Sequence, residues 1–265
     1  MGPIILQLWG PLAIQWYGFC IALGALAFLF FIKRDSRFTA LGLQNRFDTI
    51  FLWGAGAVLV GGRLLHIMRH YDDYSSWTEW FAFWEPGYAV LGSTLGVLLV
   101  VPTYLWFHKI AMLPFLDLIA TYAPLLQSIA RLGCFFAGCC FGCHGVVTWA
   151  VMYTDPASLA PTDIWLHPSQ LYSSGLLFIV FLIMYFIARH TFKVPGQQTM
   201  LYLMLASTER FITDFWRGDR EMIALCSPCG ISLSFHQLLA LGIIVTAGIL
   251  FILFTFNYNK KRLSS

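Results

Sequence analysis

Charge is placed along this chain so that long apolar stretches lie between its clusters. No Asp, Glu, Lys or Arg occurs at 1–32, 86–107, 164–188 or 222–259, and a helix needs roughly 20 mostly apolar residues to cross a bilayer. Two further apolar stretches hold isolated charges: 49–68 is interrupted by Arg63 and 110–130 by Asp117. Another, 197–217, ends in a charged cluster. The pattern predicts an all-α integral membrane protein, one membrane domain over 1–265 with about seven transmembrane helices. They are expected near 12–32, 49–68, 87–107, 110–130, 168–188, 197–217 and 235–256, with outer loops at 69–86, 131–167 and 218–234. In the first of those loops Trp77, Trp80 and Trp84, with Phe81 and Phe83, predict an amphipathic segment lying in the head-group region.

Composition supports this class. The chain is 58% hydrophobic and 11% charged, against about 25% charged in soluble domains, which excludes an ordinary soluble core. Ten basic residues sit at one set of span ends: Lys33, Arg34, Arg37, Arg46, Lys109, Arg189, Lys193, Lys260, Lys261 and Arg262. Lys and Arg prefer cytoplasmic loops, so the N-terminus is expected outside and the C-terminus in the cytoplasm. The opposite loops hold Asp72, Asp73, Glu79, Glu85, Asp155, Asp163, Asp219 and Glu221. The net charge of +3 is thus a membrane-rim feature and no sign of nucleic-acid binding. No basic segment precedes the first apolar stretch, so it reads as a span and not as a cleaved signal peptide.

Six basic residues have no topogenic role, and all are arginine: Arg63, Arg69, Arg131, Arg210, Arg217 and Arg220. Arginine stays charged when partly buried and offers phosphate a planar fork of donors. Charges inside spans usually face the protein interior and mark function. Arg210, Asp214 and Arg217 are spaced four and three apart, which on a continuous helix puts them on one face. Two arginines against one carboxylate leave positive charge over, and with Arg131 they predict an anion site. A self-contained salt-bridge ladder is the plainer alternative.

Between spans four and five, Gly133, Gly138 and Gly142 break the apolar pattern and predict a bent or re-entrant, Gly/Cys-rich segment. Gly61, Gly62, Gly92 and Gly96 offer sites of close backbone approach. Of seven cysteines, Cys20 reads as a small apolar filler. Cys134, Cys139, Cys140, Cys143, Cys226 and Cys229 all fall on the outer side, with C-x-x-C spacing at Cys140/Cys143 and Cys226/Cys229. Structural disulfides are the default expectation there; a redox-active dithiol or a thiolate metal site is the alternative, and no metal site is assigned.

These residues together resemble the prolipoprotein diacylglyceryl transferase family of bacterial inner membranes, over most of the chain. The resemblance rests on Trp16-Tyr17-Gly18, on Gly62-Arg63, on the spacing of Asp117, Pro124 and Arg131, and on His167-Pro168-Ser169-Gln170-Leu171-Tyr172. It rests also on Arg131, Gly133, Phe135, Gly138 and Gly142 within R-x-G-N-F-x-N-G-E-x-x-G, on Arg210, Phe211, Asp214 and Arg217 within R-F-x-x-E-x-x-R, and on Gln237. It implies transfer of the diacylglyceryl group of phosphatidylglycerol, a membrane lipid, to a prolipoprotein lipobox cysteine, releasing glycerol phosphate and using no cofactor. By that likeness Arg131 and Arg210 are expected to stabilise the leaving phosphate, supported by Arg63 and Arg217, with Tyr17, Gly142 and Gln170 in lipid binding.

The chain departs from the pattern near the implied reaction centre. Leu91 stands where the family has histidine, and Cys134, Ala137 and Cys139 stand for two asparagines and a glutamate. Leu166 replaces an arginine, Ser173 a glutamate and Ala206 a tyrosine. The base that deprotonates the thiol is therefore sought among His167, Asp214 and Cys139, in that order. Two other readings follow from the same residues: a thiol-redox or metal-handling membrane protein built on the outer-side cysteines, or a lipid-binding protein without catalysis.

Overall fold

A computed structural model describes residues 2–9, 12–71, 80, 87–218, 220, 222–226 and 231–264. Among the described residues, five helices are long and apolar enough to cross a membrane: Trp16–Lys33, Phe47–Arg69, Met112–Ala137, Ser169–Thr191 and Phe235–Lys260, with Leu91–Phe107 as a shorter apolar helix. Their outward faces carry large apolar side chains such as Leu26, Leu52, Leu99 and Ile252 at 64–71% exposure, a surface suited to lipid and not to water. The protein is an all-α integral membrane protein, to which short antiparallel hairpins, absent from the sequence reading, are added.

The chain divides into two units, Met1–Arg34 with Leu116–Ser265, and Asp35–Phe115. The first opens with hairpin β1 (Ile4–Trp9) and β2 (Leu12–Gln15), which runs directly into α1 (Trp16–Lys33). In the second unit, α2 (Ser36–Ala40) precedes a close helical pair, α3 (Phe47–Arg69) and α4 (Val90–Phe107). A Cβ at Gly61 would stand 2.4 Å from the Gly92 carbonyl oxygen, and one at Gly96 2.5 Å from that of Ala57. Small residues thus let the two backbones touch, the usual route to tight packing in lipid. Arg63 is buried here and donates to the carbonyls of Trp80 and Gly87 at 3.4 Å each. Trp77, Phe81, Phe83 and Trp84 of the expected amphipathic segment lie outside the described residues.

The first unit continues through α5 (Met112–Ala137), then α6 (Ser169–Leu182), a π-helical stretch Ile183–Ala188 and a last turn α7 (Arg189–Thr191). Its remaining helices are α8 (Gln197–Asp214) and α9 (Phe235–Ser264). Asp117 of α5 is buried, and its carboxylate accepts from the Gly196 N–H at 2.7 Å, the Thr199 N–H at 2.8 Å and the Thr199 hydroxyl at 2.6 Å. It caps the start of α8, where unpaired N–H groups favour negative charge. Ser128 and Ser174 exchange hydroxyl-to-carbonyl bonds of 2.8 and 2.9 Å, stitching α5 to α6. At the start of α9 the Ser234 N–H bonds the Gln237 side-chain oxygen at 3.0 Å and the Gln237 N–H bonds the Ser234 hydroxyl at 3.1 Å, a reciprocal capping box.

Gly133 does not break α5. The helix runs on to Ala137, because Gly133 meets α1: a Cβ there would lie 3.0 Å from Cys20 Cβ and from Tyr17 Cα. The reversal comes at Gly138 and Cys140, both at positive φ (77° and 57°). Beyond it the chain is extended, with isolated bridges Gly142–Arg217 and His144–Leu166. It therefore lies between the segment after α8 and the strand before α6. A Cβ on Gly142 would stand 2.2 Å from the His167 carbonyl oxygen, so only glycine fits. Two short hairpins complete the unit: β3 (Val151–Met152) with β4 (Trp165–Leu166), and β5 (Met222–Cys226) with β6 (Ile231–Ser234).

Candidate active site

Three arginines reach one narrow cleft from three different elements: Arg131 on α5, Arg210 on α8 and Arg217 on the strand segment after α8. Cys140, Ser169, Gln170, Ser173 and Thr213 complete its wall, and the space is about 10 Å³. A larger cavity of about 320 Å³ is also lined by Arg131 and Arg210. Its other walls are Tyr17 of α1, Leu126, Gln127, Ala130 and Cys134 of α5, Leu177 of α6, and Ala206 and Glu209 of α8. The polar cleft has room for about one water, and the larger cavity mixes aliphatic walls (Leu126, Ala130, Leu177, Ala206) with polar ones.

Asp214 organises the arginines. It is 1% exposed, takes an ion pair from Arg210 at 3.4 Å and another from Arg220 Nε at 3.9 Å, and accepts a short hydrogen bond from the Ser234 hydroxyl. A carboxylate so engaged orients guanidinium groups and has little capacity left as a base. The expected single helix face is not formed, because α8 ends at Asp214. Arg217 instead pairs with Gly142 as a strand and enters the same cleft from there.

Gln170 is 2% exposed. Its amide nitrogen donates to the Cys139 carbonyl at 2.9 Å and to the Tyr153 hydroxyl at 3.4 Å. Its amide oxygen is buried with no partner, which costs about 1–3 kcal/mol unless a ligand supplies a donor. His167 lies elsewhere. Its Nδ1 is 3.2 Å from the Tyr172 hydroxyl, and its ring fills the space a Cβ at Gly145 would need. It lines neither cavity. Arg63 is described only within the second unit.

The expected disulfides are not formed among the described residues: Cys20, Cys134, Cys139, Cys140 and Cys143 are free thiols. The extended run after Cys140 carries Cys143 into pairing with Trp216 and His167, so the C-x-x-C spacing closes no loop. Cys229 and the side chain of Cys226 lie outside the described residues. Cys134, Cys139 and Cys140 interact through their thiols. Hydrogen bonds from Cys134 and Cys139, with Arg217 and Arg131 nearby, hold Cys140 well below the ordinary thiol range. Arg131 Nη1 is 3.8 Å from its sulfur. Cys139, the donor to both neighbours, is pushed up. Among the described residues no group of three or more His, Cys, Asp or Glu is arranged to hold a metal ion.

Sequence reasoning missed Glu209, Ser173, Thr213 and Gln127. Glu209 stands directly before Arg210 in a helix rich in polar residues, so nothing local singled it out.

A helical membrane protein with three arginines gathered on a polar cleft, beside a larger cavity of mixed lining, has an arrangement suited to an anionic lipid. Residues 3–253 match the prolipoprotein diacylglyceryl transferase family. A phosphatidylglycerol–prolipoprotein diacylglyceryl transferase of Clostridium tetani is 30% identical over 99% of both chains. That of Bordetella avium is 31% identical over 95% of this chain and 94% of its own. The chain belongs to the prolipoprotein diacylglyceryl transferase family.

Proposed function

We propose that this protein transfers the diacylglyceryl group of phosphatidylglycerol to the thiol of a prolipoprotein lipobox cysteine, releasing glycerol phosphate. The observation that carries this reading is the convergence of Arg131, Arg210 and Arg217 on one cleft next to a larger cavity with Leu126, Ala130, Leu177 and Ala206 in its walls. The phosphodiester sits among the arginines, and the glyceryl carbon and acyl chains extend past Leu126, Leu177 and Ala206. The thiolate attacks the glyceryl carbon; the S–C bond forms as the C–O bond to phosphate breaks, and the electron pair passes to the phosphate oxygen. That oxygen gains charge in the transition state, where prearranged donors in a water-poor site act most strongly. Gln170 offers its unpartnered oxygen to a hydroxyl of the glycerol head group. The polar cleft faces outward, with the N-terminus outside and the C-terminus cytoplasmic, as the positions of Lys33, Lys109, Lys193 and Lys260 require.

The test is transfer from radiolabelled phosphatidylglycerol to a lipobox peptide by purified protein in mixed micelles. Label should appear on the peptide thiol with stoichiometric glycerol phosphate. No transfer by folded wild-type protein would refute the reading.

A further inference from the structure

Resting on that transferase reading, we propose that Glu209 is the proton acceptor for the incoming lipobox thiol. Glu209 is 6% exposed and lines the larger cavity together with Arg131 and Arg210. One carboxylate oxygen, Oε1, accepts from the Ser173 hydroxyl at 2.5 Å and from the Thr213 hydroxyl at 3.2 Å. Both bonds fall on that oxygen, so the carboxylate is held in place while Oε2 is left to take a proton.

The position explains two departures of this chain from the family pattern. Where that pattern has a glutamate, this chain has Ser173, and Ser173 is the residue that grips Glu209. Where it has a tyrosine, this chain has Ala206, one turn before Glu209 on α8 and lining the same cavity. A tyrosine at 206 would fill space beside the carboxylate that a substrate thiol must enter. Glu209 on α8 thus stands beside two positions, 173 and 206, that carry small side chains in this chain.

The other candidates are placed for other work. Asp214 is engaged by Arg210, Arg220 and Ser234, and His167 lines neither cavity. Cys140 lies in the cleft with all three arginines, where the phosphate must go. In the proposed step the thiol proton moves to Glu209 Oε2 and the thiolate displaces glycerol phosphate. Glu209 then returns the proton to water when product leaves. Arg131 and Arg210, in the same cavity, lower the cost of forming the thiolate.

The groups facing Glu209 are Arg210 and Tyr202 on its own helix, Arg131 and Cys134 on α5, Tyr17 on α1 and Ser173 on α6. The experiment is the pH profile of labelled-lipid transfer by Glu209→Gln, run beside binding of labelled phosphatidylglycerol. Lipid binding should persist while transfer falls about 100-fold or more near pH 7. The deficit should shrink as pH rises past the peptide thiol's pKa of about 8.5, because the substrate then arrives deprotonated. A merely structural role would give the same deficit at every pH, and that result, or wild-type activity, overturns the proposal. If Glu209→Gln does not accumulate, the double variant Ser173→Glu/Glu209→Gln decides: transfer supports a carboxylate base at this place, and an accumulated, lipid-binding but inactive protein overturns it. An inactive wild type would instead refute the transferase reading itself.

Discussion

Replacing Arg210 separates charge from geometry at the cleft. Its guanidinium side chain is 22% exposed and pairs with a carboxylate that is 2% exposed. Removing one partner of a buried pair commonly costs 3–5 kcal/mol. Here Arg220 and Ser234 still compensate Asp214, so Arg210→Ala should lose less than that, about 1–3 kcal/mol. Transfer should suffer more, by about 10²–10³-fold, the usual loss for one donor to developing charge. Arg210→Lys keeps a point charge but not the fork that can hold Asp214 and phosphate at once. It should therefore accumulate like wild type and still transfer at least about tenfold more slowly. Lys193→Ala is the control: Lys193 is exposed and bonds only the Arg189 carbonyl, at 3.4 Å. The assay is labelled-lipid transfer normalised to membrane abundance. Full activity in Arg210→Lys would show that bidentate phosphate recognition is not the mechanism.

Other substitutions test the frame around the cleft. Asp117→Ala should lower thermal stability in micelles by about 2–4 kcal/mol, since the Gly196 and Thr199 N–H groups lose their cap; unchanged melting would show that water replaces it. Gly92→Val should disrupt α3–α4 packing and cut abundance, because a Cβ there would stand 2.2 Å from the Gly61 carbonyl oxygen. Gly56→Ala, with nothing within 4 Å of the new carbon, should not. Cys140 should be alkylated by iodoacetamide at a rate nearly flat from pH 8 to pH 6, because a depressed pKa keeps the thiolate as pH falls. Phosphatidylglycerol should slow the reaction, and an ordinary thiol's tenfold drop per pH unit below about 8.5 would contradict the assignment.

The apolar runs were enough to expect an all-α membrane protein, because length and charge spacing are local properties. Close approach at Gly61, Gly92 and Gly96 was legible for the same reason: small residues recur at helical spacing. Gly133 was read as a break because a glycine in isolation signals either a bend or a contact. Only α1 lying against it decides between the two. Arg217 was assigned to the face of Arg210 by counting along a helix, but pairing with Gly142, far off in sequence, takes that segment out of α8. The hairpin β1–β2 lies inside an apolar run whose composition does not separate strand from helix. Glu209 looked like one more member of a charged cluster. Its burial depends on Ser173, which is 36 residues away, so no local pattern could mark it.

Charge balance connects the departures from the family pattern that sequence comparison leaves as separate losses. Arg131, Arg210 and Arg217 need counter-charge before lipid arrives, because cations in a membrane-embedded cleft are costly alone. The family pattern has glutamates at the positions of Cys139 and Ser173, and both are gone. Asp214 answers Arg210 directly. Glu209 lines the larger cavity with Arg131 and Arg210, taking over from position 173. Cys139 is pushed up as a donor, whereas its neighbour Cys140, beside Arg131 and Arg217, is held below the ordinary thiol range. If Cys140 offsets Arg131 and Arg217 before lipid arrives, an incoming phosphate must displace it from them. Cys140→Asp, which fixes a hard charge in the cleft, should therefore weaken phosphatidylglycerol binding more than Cys140→Ser, and equal binding by the two would mean that Cys140 is no counter-ion.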